Sequence, residues 1–375
     1  MIGFSVNMSN RSIVIDSGSG STRVGYAGDE NVVCEIPSVV GYSKFAGVFD
    51  GPDYFIGNDA LNKSDQLTLK LPIDRGLITN WDAMEKMWSY IYDKELKVES
   101  KNQSVLLTDS PLNLKANRSK MAQIMFEKFN VPSLTIANSA LLALQSCDIN
   151  TGVIVDCGDS ITNVVPIYEG NTLRTNTISL KLGGRDITDF LGRMLKENSL
   201  ITPQEKSHTI KDIKEKVSYI AYDFNDELKN AQNLQTQDKI YTLPDGRDIK
   251  VGTERFSCTE SLFDPSYLDF DFNGIHKAVF NSIAKCDIDI RGGLYENVYL
   301  VGGTTLFKGF EYRLYKEIIA LNQKLKIKFT SLPDRRLSTW KGASKMAASQ
   351  STQWITKQEY EEQGPSIIAT KTQNT

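Results

Sequence analysis

The sequence predicts an α/β protein of two duplicated lobes. Three observations predict it. The stretch Ser12-Ile13-Val14-Ile15-Asp16-Ser17-Gly18-Ser19-Gly20 is matched in mid-chain by Gly152-Val153-Ile154-Val155-Asp156-Cys157-Gly158-Asp159-Ser160. Each is a β-branched apolar run that delivers an Asp and then a glycine turn, and about 140 residues separate them, a domain-sized interval. Amphipathic helical stripes lie between the strand signals, as layered α/β architecture requires, and 375 residues are too many for one ordinary core.

Along the chain, the first apolar run turns back as residues 23–28, which end in a glycine, predicting a β-hairpin. Residues 81–96 place Met84, Met87, Trp88 and Ile91 at i, i+3, i+4, i+7, one apolar helical face. A further helix fits 113–129. The second hairpin pairs 152–157 with 163–170, and residues 184–195 repeat the helical stripe with Ile187, Phe190, Leu191 and Met194. Helices follow over 210–224, 274–285 and 309–321, with Leu243-Pro244-Asp245-Gly246 as a turn between strands. These stripes read as core rather than as cofactor contacts.

Composition excludes several functions. Hydrophobic residues make up 40% and charged residues 24%, the balance of a globular protein. A net charge of −3 offers no basic surplus for nucleic acid or an anionic membrane. The cysteines Cys34, Cys147, Cys157, Cys258 and Cys286 form no C-x-x-C pair and read as reduced thiols of a cytosolic protein. No leader peptide is expected from residues 1–10 and no membrane span from any apolar run. With only His208 and His276, histidine-based triads and metal cages lack parts, and His276 reads as a packed side chain.

A tight hairpin with glycines after its first strand aims successive backbone N–H groups at one point, a nest for phosphate oxygens. Two such turns make a clamp, with Asp16 and Asp156 placed to hold the water shell of a divalent cation. Either turn alone is also a common feature of β proteins. A third turn, in Asn297-Val298-Tyr299-Leu300-Val301-Gly302-Gly303-Thr304-Thr305-Leu306, runs a buried strand into paired glycines that let a ribose or base approach.

These three turns resemble the two phosphate loops and the adenosine loop of the actin, Hsp70 and sugar-kinase ATPase superfamily. Within it the chain is similar to actin. The resemblance is carried by Ile78-Thr79-Asn80-Trp81-Asp82-Ala83-Met84-Glu85-Lys86-Met87-Trp88, by Ser104-Val105-Leu106-Leu107-Thr108-Asp109-Ser110-Pro111-Leu112-Asn113 and by Gly183-Gly184-Arg185-Asp186-Ile187-Thr188-Asp189-Phe190. It continues through 212–219, 243–246, 285–291 and 354–367. The implied fold is the α/β actin-like ATPase fold, two duplicated lobes each with a helix-flanked mixed β-sheet and nucleotide in the cleft between them. Residues 1–146 with 335–375 form the first lobe, carrying a small insert at about 37–73, and 147–334 the second.

The resemblance implies ATP or ADP with Mg²⁺ or Ca²⁺. It assigns phosphate contacts to Gly18, Ser19, Gly20, Ser21, Arg23, Gly158, Asp159, Ser160 and Ile161, and the cation's waters to Asp16 and Asp156. The nucleoside falls to Gly184, Lys211, Lys214, Glu215, Gly303, Thr304, Leu306 and Phe307, with Arg336 closing over the base. Lys214 and Glu215 also read as a charge pair on a helix surface.

Departures from the family pattern shape the functional expectation. Arg23 stands where the family has a phosphate-contacting Lys. Ser139 and Asn163 stand where actins carry the Gln and His that orient the attacking water. Serine is too short to reach where a glutamine amide reaches, so ATP hydrolysis is expected to be slow. Residues 45–54, matching the loop that inserts into the next filament subunit, are shorter and less apolar. Residues matching actin's partner-binding groove are polar: Gln145, Ser146, Asn171, Lys341, Lys345 and Ser349. Partners that bury an amphipathic helix there are expected to bind weakly. The leading expectation is a cytoplasmic, cytoskeletal ATP-binding protomer that joins filaments of itself or of conventional actin. The alternative is a non-polymerising scaffold subunit that uses ATP as a structural ligand. A sugar kinase lacks a visible catalytic base and acceptor pocket, and an Hsp70-type chaperone lacks the chain length.

Overall fold

The computed structural model describes residues 11–44, 53–234 and 238–371. The chain divides into two units, the first from Met1–Asn150, Ile167–Arg174 and Arg336–Thr375, the second from Thr151–Pro166 and Thr175–Arg335.

The first unit is organised by a sheet in the order Ile355–Thr356, Ser133–Asn138, Val105–Asp109, Ile13–Ser17, Ser21–Tyr26, Cys34–Pro37. Its three central strands run parallel and its outer pairs antiparallel, so the sheet is mixed. Side chains alternate across a strand. Ile13 and Ile15 therefore face one layer, with Met84, Met87, Trp88, Ile91 and Phe126, while Val14 faces the other, with Leu106, Leu142, Trp340 and Ala343. Covering on both faces explains why Ile13, Val14 and Ile15 are uninterrupted apolar residues.

The first layer is built by the helix Trp81–Tyr90, capped by Asn80, whose side chain accepts from the backbone N–H of Ala83; it continues as a π-turn over Ile91–Leu96. The helix expected over 113–129 is Lys115–Gln123 with a π-turn over Ile124–Lys128. On the opposite face Ser139–Gln145 packs against Ser338–Ala348 with the backbones in contact, since a Cβ on Gly342 would lie 1.8 Å from the Leu142 carbonyl oxygen. A separate sheet sets Val40–Ser43 between Tyr54–Ile56 and Leu67–Lys70 over Val39, Ala60 and Leu67.

The second unit repeats the theme. Gly152–Cys157, Val298–Val301 and Phe329–Ser331 run parallel, and Thr162–Tyr168 lies on the other side of Gly152–Cys157, paired in turn with Ile178–Leu180. Gly184–Glu197 forms as expected, but it buries Ile187, Leu191 and Leu195, leaving Phe190 and Met194 half-buried. The helix expected over 210–224 is instead Ser207–Val217, and a second helix begins at Phe224. The break has a physical cause. The backbone N–H groups of Tyr219 and Ile220 donate to the carbonyls of Arg255 and Lys308, so they are withdrawn from any helical ladder. His276 is buried against Phe263, and burial pushes its imidazole below the ordinary histidine value.

Candidate functional site

In the first unit the hairpin of Ile13–Ser17 and Ser21–Tyr26 is closed by the N–H of Gly18 donating to the Ser21 carbonyl at 3.0 Å. Ser38 Oγ donates to the Gly18 carbonyl at 2.6 Å, fixing the turn from the side. Asp16, at the end of the entering strand, is buried and accepts from Thr108 Oγ1 at 2.8 Å and from Arg23 at 3.2 Å. Arg23 reaches Glu35 at 3.3 Å, and Arg336 reaches the same carboxylate at 2.8 Å. Ser21 Oγ donates to Glu35 at 2.7 Å. Burial pushes the Glu35 carboxyl up, but the Ser21 hydroxyl and the two guanidinium groups outweigh it and hold it below the usual range. Ser17 Oγ and Arg23 Nε are buried and have no hydrogen-bond partner among the described residues.

The second unit carries the same turn. Gly158 N–H donates to the Ile161 carbonyl at 2.9 Å between Gly152–Cys157 and Thr162–Tyr168. A Cβ on Gly18 or Gly158 would meet that closing carbonyl oxygen at 3.1 or 3.3 Å, so both turns are tight in the same place. Behind it sits the N-terminus of Gly184–Glu197: the N–H groups of Gly184 and Arg185 donate to the carbonyls of Gly158 and Asp159. A Cβ on Gly183 would fall 2.6 Å from the Asp159 oxygen, which is why only glycine lets the helix start so close. Arg185 grips the Asp159 carboxylate with Nε at 3.1 Å and Nη2 at 2.8 Å.

The third turn closes on the same spot. Thr304 Oγ1 donates to the Gly158 carbonyl at 2.7 Å. Gly302, at φ 87°, lies where a Cβ would sit 2.6 Å from Asp156 Oδ1. Arg335 pins this turn through Thr305, donating to its hydroxyl at 2.9 Å and its carbonyl at 2.8 Å. Lys214 is buried and donates to the Gly184 carbonyl at 2.7 Å and Thr188 Oγ1 at 2.9 Å; burial pushes its ammonium below the ordinary lysine value. Glu215 pairs with Lys211 at 4.0 Å on the helix surface, so the pairing of Lys214 with Glu215 read from the sequence gives way to Lys211 with Glu215.

The second unit thus gathers Asp156, residues 158–161, Gly184, Lys214 and Thr304, while the first gathers Asp16, residues 18–21, Arg23 and Arg336. Gly303 and Leu306 are solvent-exposed and Phe307 half-buried at the mouth of the third turn. Thr108, Glu35, Arg185 and Arg335 were not singled out from the sequence. Their roles depend on strand register and on contacts across the fold, which leave no local signal.

Among the described residues no three His, Cys, Asp or Glu side chains converge into a metal cage. The donor set fits a hydrated cation better than a directly ligated one. Each Asp16 oxygen keeps lone-pair capacity beyond its one donor, and the partnerless Ser17 hydroxyl lies beside it in the chain.

A family model described as Actin matches residues 7–373. The chain belongs to the actin family. Members of this family generally bind nucleotide with a divalent cation.

Of the two residues expected at water-orienting positions, Ser139 is the first residue of Ser139–Gln145, and Asn163 is buried on Thr162–Tyr168 with its side-chain oxygen accepting from Ser179. Asn138 caps the helix Ser139–Gln145, its Oδ1 accepting from the N–H groups of Ala140 at 2.9 Å and Leu141 at 3.4 Å. Of the polar groove residues, Lys345 forms an ion pair with Asp148 at 2.9 Å and donates to the Ser146 carbonyl at 3.1 Å. Ser349 bonds Ser351, and Asn171 is exposed. Residues 45–52 of the loop expected over 45–54 lie outside the described residues. Among the described residues no helix is long and apolar enough to cross a membrane.

Proposed function

We propose that this actin-family chain binds ATP with Mg²⁺ or Ca²⁺, hydrolyses it slowly, and joins actin-type filaments in the cytoplasm as a cytoskeletal protomer. The observation that carries the reading is the repeated turn, in which a strand-delivered Asp precedes a Gly N–H closed onto a carbonyl three residues on, at 3.0 Å in one unit and 2.9 Å in the other. In this reading the backbone N–H groups of residues 18–21 and 158–161 hold the phosphates, and Asp16 and Asp156 hold the waters of the cation. The cation neutralises phosphate charge. Lys214 and Thr304 shape the nucleoside side, where Gly184 and Gly302 lie too close to neighbouring atoms to carry a side chain.

Slow hydrolysis follows from the side chains at the water-orienting positions. Ser139 has one short hydroxyl, and the Asn163 amide oxygen already accepts a bond from Ser179. Both side chains are shorter than the long amide and the imidazole that would hold a water in line with a γ-phosphate. Calorimetric titration with Mg-ATP tests the binding, and single-turnover phosphate release tests the rate. A release rate equal to that of conventional actin would refute the second part.

The Lys345–Asp148 pair favours a second reading, a non-polymerising scaffold subunit with ATP as a structural ligand. An apolar partner helix laid over this surface would have to desolvate that ion pair. Sedimentation with Mg-ATP and salt, alone and with conventional actin, separates the two: pelleting supports the filament reading and its absence in both mixtures supports the scaffold.

A further inference from the structure

Asp16, Arg23 and Glu35 stand opposite one another on three neighbouring antiparallel strands. The register pairs Asp16 with Arg23 and Arg23 with Glu35, so the three residues form a row across the sheet with charges alternating negative, positive, negative. The side chains follow the register: Arg23 contacts Asp16 at 3.2 Å and Glu35 at 3.3 Å. Arg336 completes the row on the far oxygen of Glu35 at 2.8 Å. Two carboxylates and two guanidinium groups cancel, and the cluster carries no net charge.

We propose that Glu35 is a specificity-determining residue of the phosphate site, one that makes polyphosphate binding depend on an accompanying divalent cation. The inference rests on the nucleotide reading above. Arg23 and Arg336 are the two cations of the first unit assigned to the ligand, and Glu35 holds both. A polyphosphate approaching a neutral cluster gains little from guanidinium groups whose charge is already balanced by carboxylates, and it meets the repulsion of Asp16 and Glu35. A divalent cation arriving with the ligand removes that repulsion. Without the Glu35 charge the row has a surplus of one positive charge, and a bare polyphosphate is attracted directly. Glu35 sits on the edge strand Cys34–Pro37 with its side chain partly open to solvent, so replacing it leaves the buried layers of the unit untouched.

The test uses the full chain and calorimetric affinities for ATP and for inorganic tripolyphosphate, each with Mg²⁺ and with EDTA. The readout is the ratio of metal-free to metal-bound dissociation constants, which general destabilisation does not move. Glu35→Gln keeps the shape and the hydrogen bond from Ser21 and removes the charge; it is expected to lower the ratio about tenfold, the effect of one charge at short range near a protein surface. Glu35→Ala is expected to shift the ratio in the same direction, and Glu35→Asp, which keeps the charge, to stay near the wild-type ratio. A wild-type chain that binds ATP and variants that leave the ratio unchanged would overturn the inference alone. Loss of the fold in both Glu35→Gln and Glu35→Ala would make Glu35 a structural anchor and overturn it as well. A wild-type chain that takes up ATP under neither condition would sink the nucleotide reading itself, and this inference with it.

Discussion

Thr108 donates its hydroxyl to Asp16 Oδ1 across 2.8 Å, linking two parallel neighbouring strands at their carboxyl ends. Asp16 is only 6% exposed, so this bond compensates part of the cost of burying its polar oxygens and fixes the orientation of the carboxyl group. Thr108→Val keeps the shape and deletes the donor. It is expected to destabilise the chain by about 1.5–3 kcal/mol, the range for a hydrogen bond to a charged group, and to weaken retention of Mg²⁺. Thermal unfolding and cation titration check both effects, and Thr108→Ser should restore most of each. A Val variant as stable as wild type would show that Arg23 alone suffices to hold Asp16.

Two glycines make a matched pair of stability predictions. A Cβ on Gly342 would be 1.8 Å from the Leu142 carbonyl oxygen, whereas nothing lies within 4 Å of one on Gly292, which is inside the helix Ile288–Tyr295. Gly342→Ala must push apart two helices that touch through their backbones, at a cost of about 3 kcal/mol. Gly292→Ala only removes backbone freedom from the unfolded chain and should stabilise by about 0.5–1 kcal/mol. Thermal midpoints moving in opposite directions confirm the pair; a neutral Gly342→Ala would mean that the helix contact is looser than the geometry requires.

What the sequence revealed was local chemistry. The α/β class and the actin resemblance were legible because β-branched runs such as Ile13-Val14-Ile15 and Val153-Ile154-Val155 end in glycine turns whose order is distinctive, and the family match over residues 7–373 bears the resemblance out. The end of Ser207–Val217 was not legible. Nothing in residues 218–224 forbids a helix, and the ladder stops because Arg255 and Lys308 supply carbonyls from elsewhere in the chain. Glu35 escaped notice for a similar reason. It becomes part of the site through its register with Arg23, and register is a property of paired strands.

Lys214 predicts a pH dependence with a definite sign. Burial holds its ammonium below the lysine value of the unfolded chain, so between those two values the unfolded state binds more protons and stability rises with pH. Below the folded value the charged lysine lowers stability in full. Lys214→Met cannot ionise, and the Gly184 carbonyl keeps the bond from Thr188 Oγ1 at 2.9 Å after the change. At neutral pH the variant should therefore remain within about 1 kcal/mol of wild type, lost hydrogen bonds offsetting relieved desolvation. As pH rises toward the ordinary lysine value, the difference should move in favour of wild type. Denaturant unfolding at several pH values measures it; a difference that does not change with pH would show that Lys214 titrates alike in both states.

Slow hydrolysis, if it comes from Ser139 and Asn163, should be reversible by giving the chain the long amide and the imidazole found in actins. The helix tolerates Ser139→Gln because Asn138, rather than Ser139, supplies the cap to the N–H groups of Ala140 and Leu141. Asn163→His is the harder change. Asn163 is buried and its side chain ties Thr162–Tyr168 to Ile178–Leu180 through Ser179, so the imidazole must take over that acceptor role with one ring nitrogen. The double variant is expected to speed single-turnover phosphate release about tenfold or more, since positioning the nucleophile is a large part of phosphoryl-transfer catalysis. Either single variant should recover only part of it, because one contact orients a water less fully than two. ATP affinity should stay near wild type, as neither residue is among those assigned to the phosphates. A double variant that folds, binds ATP and releases phosphate no faster would place the cause of slow turnover elsewhere, with Arg23 in the first turn as the next residue to change.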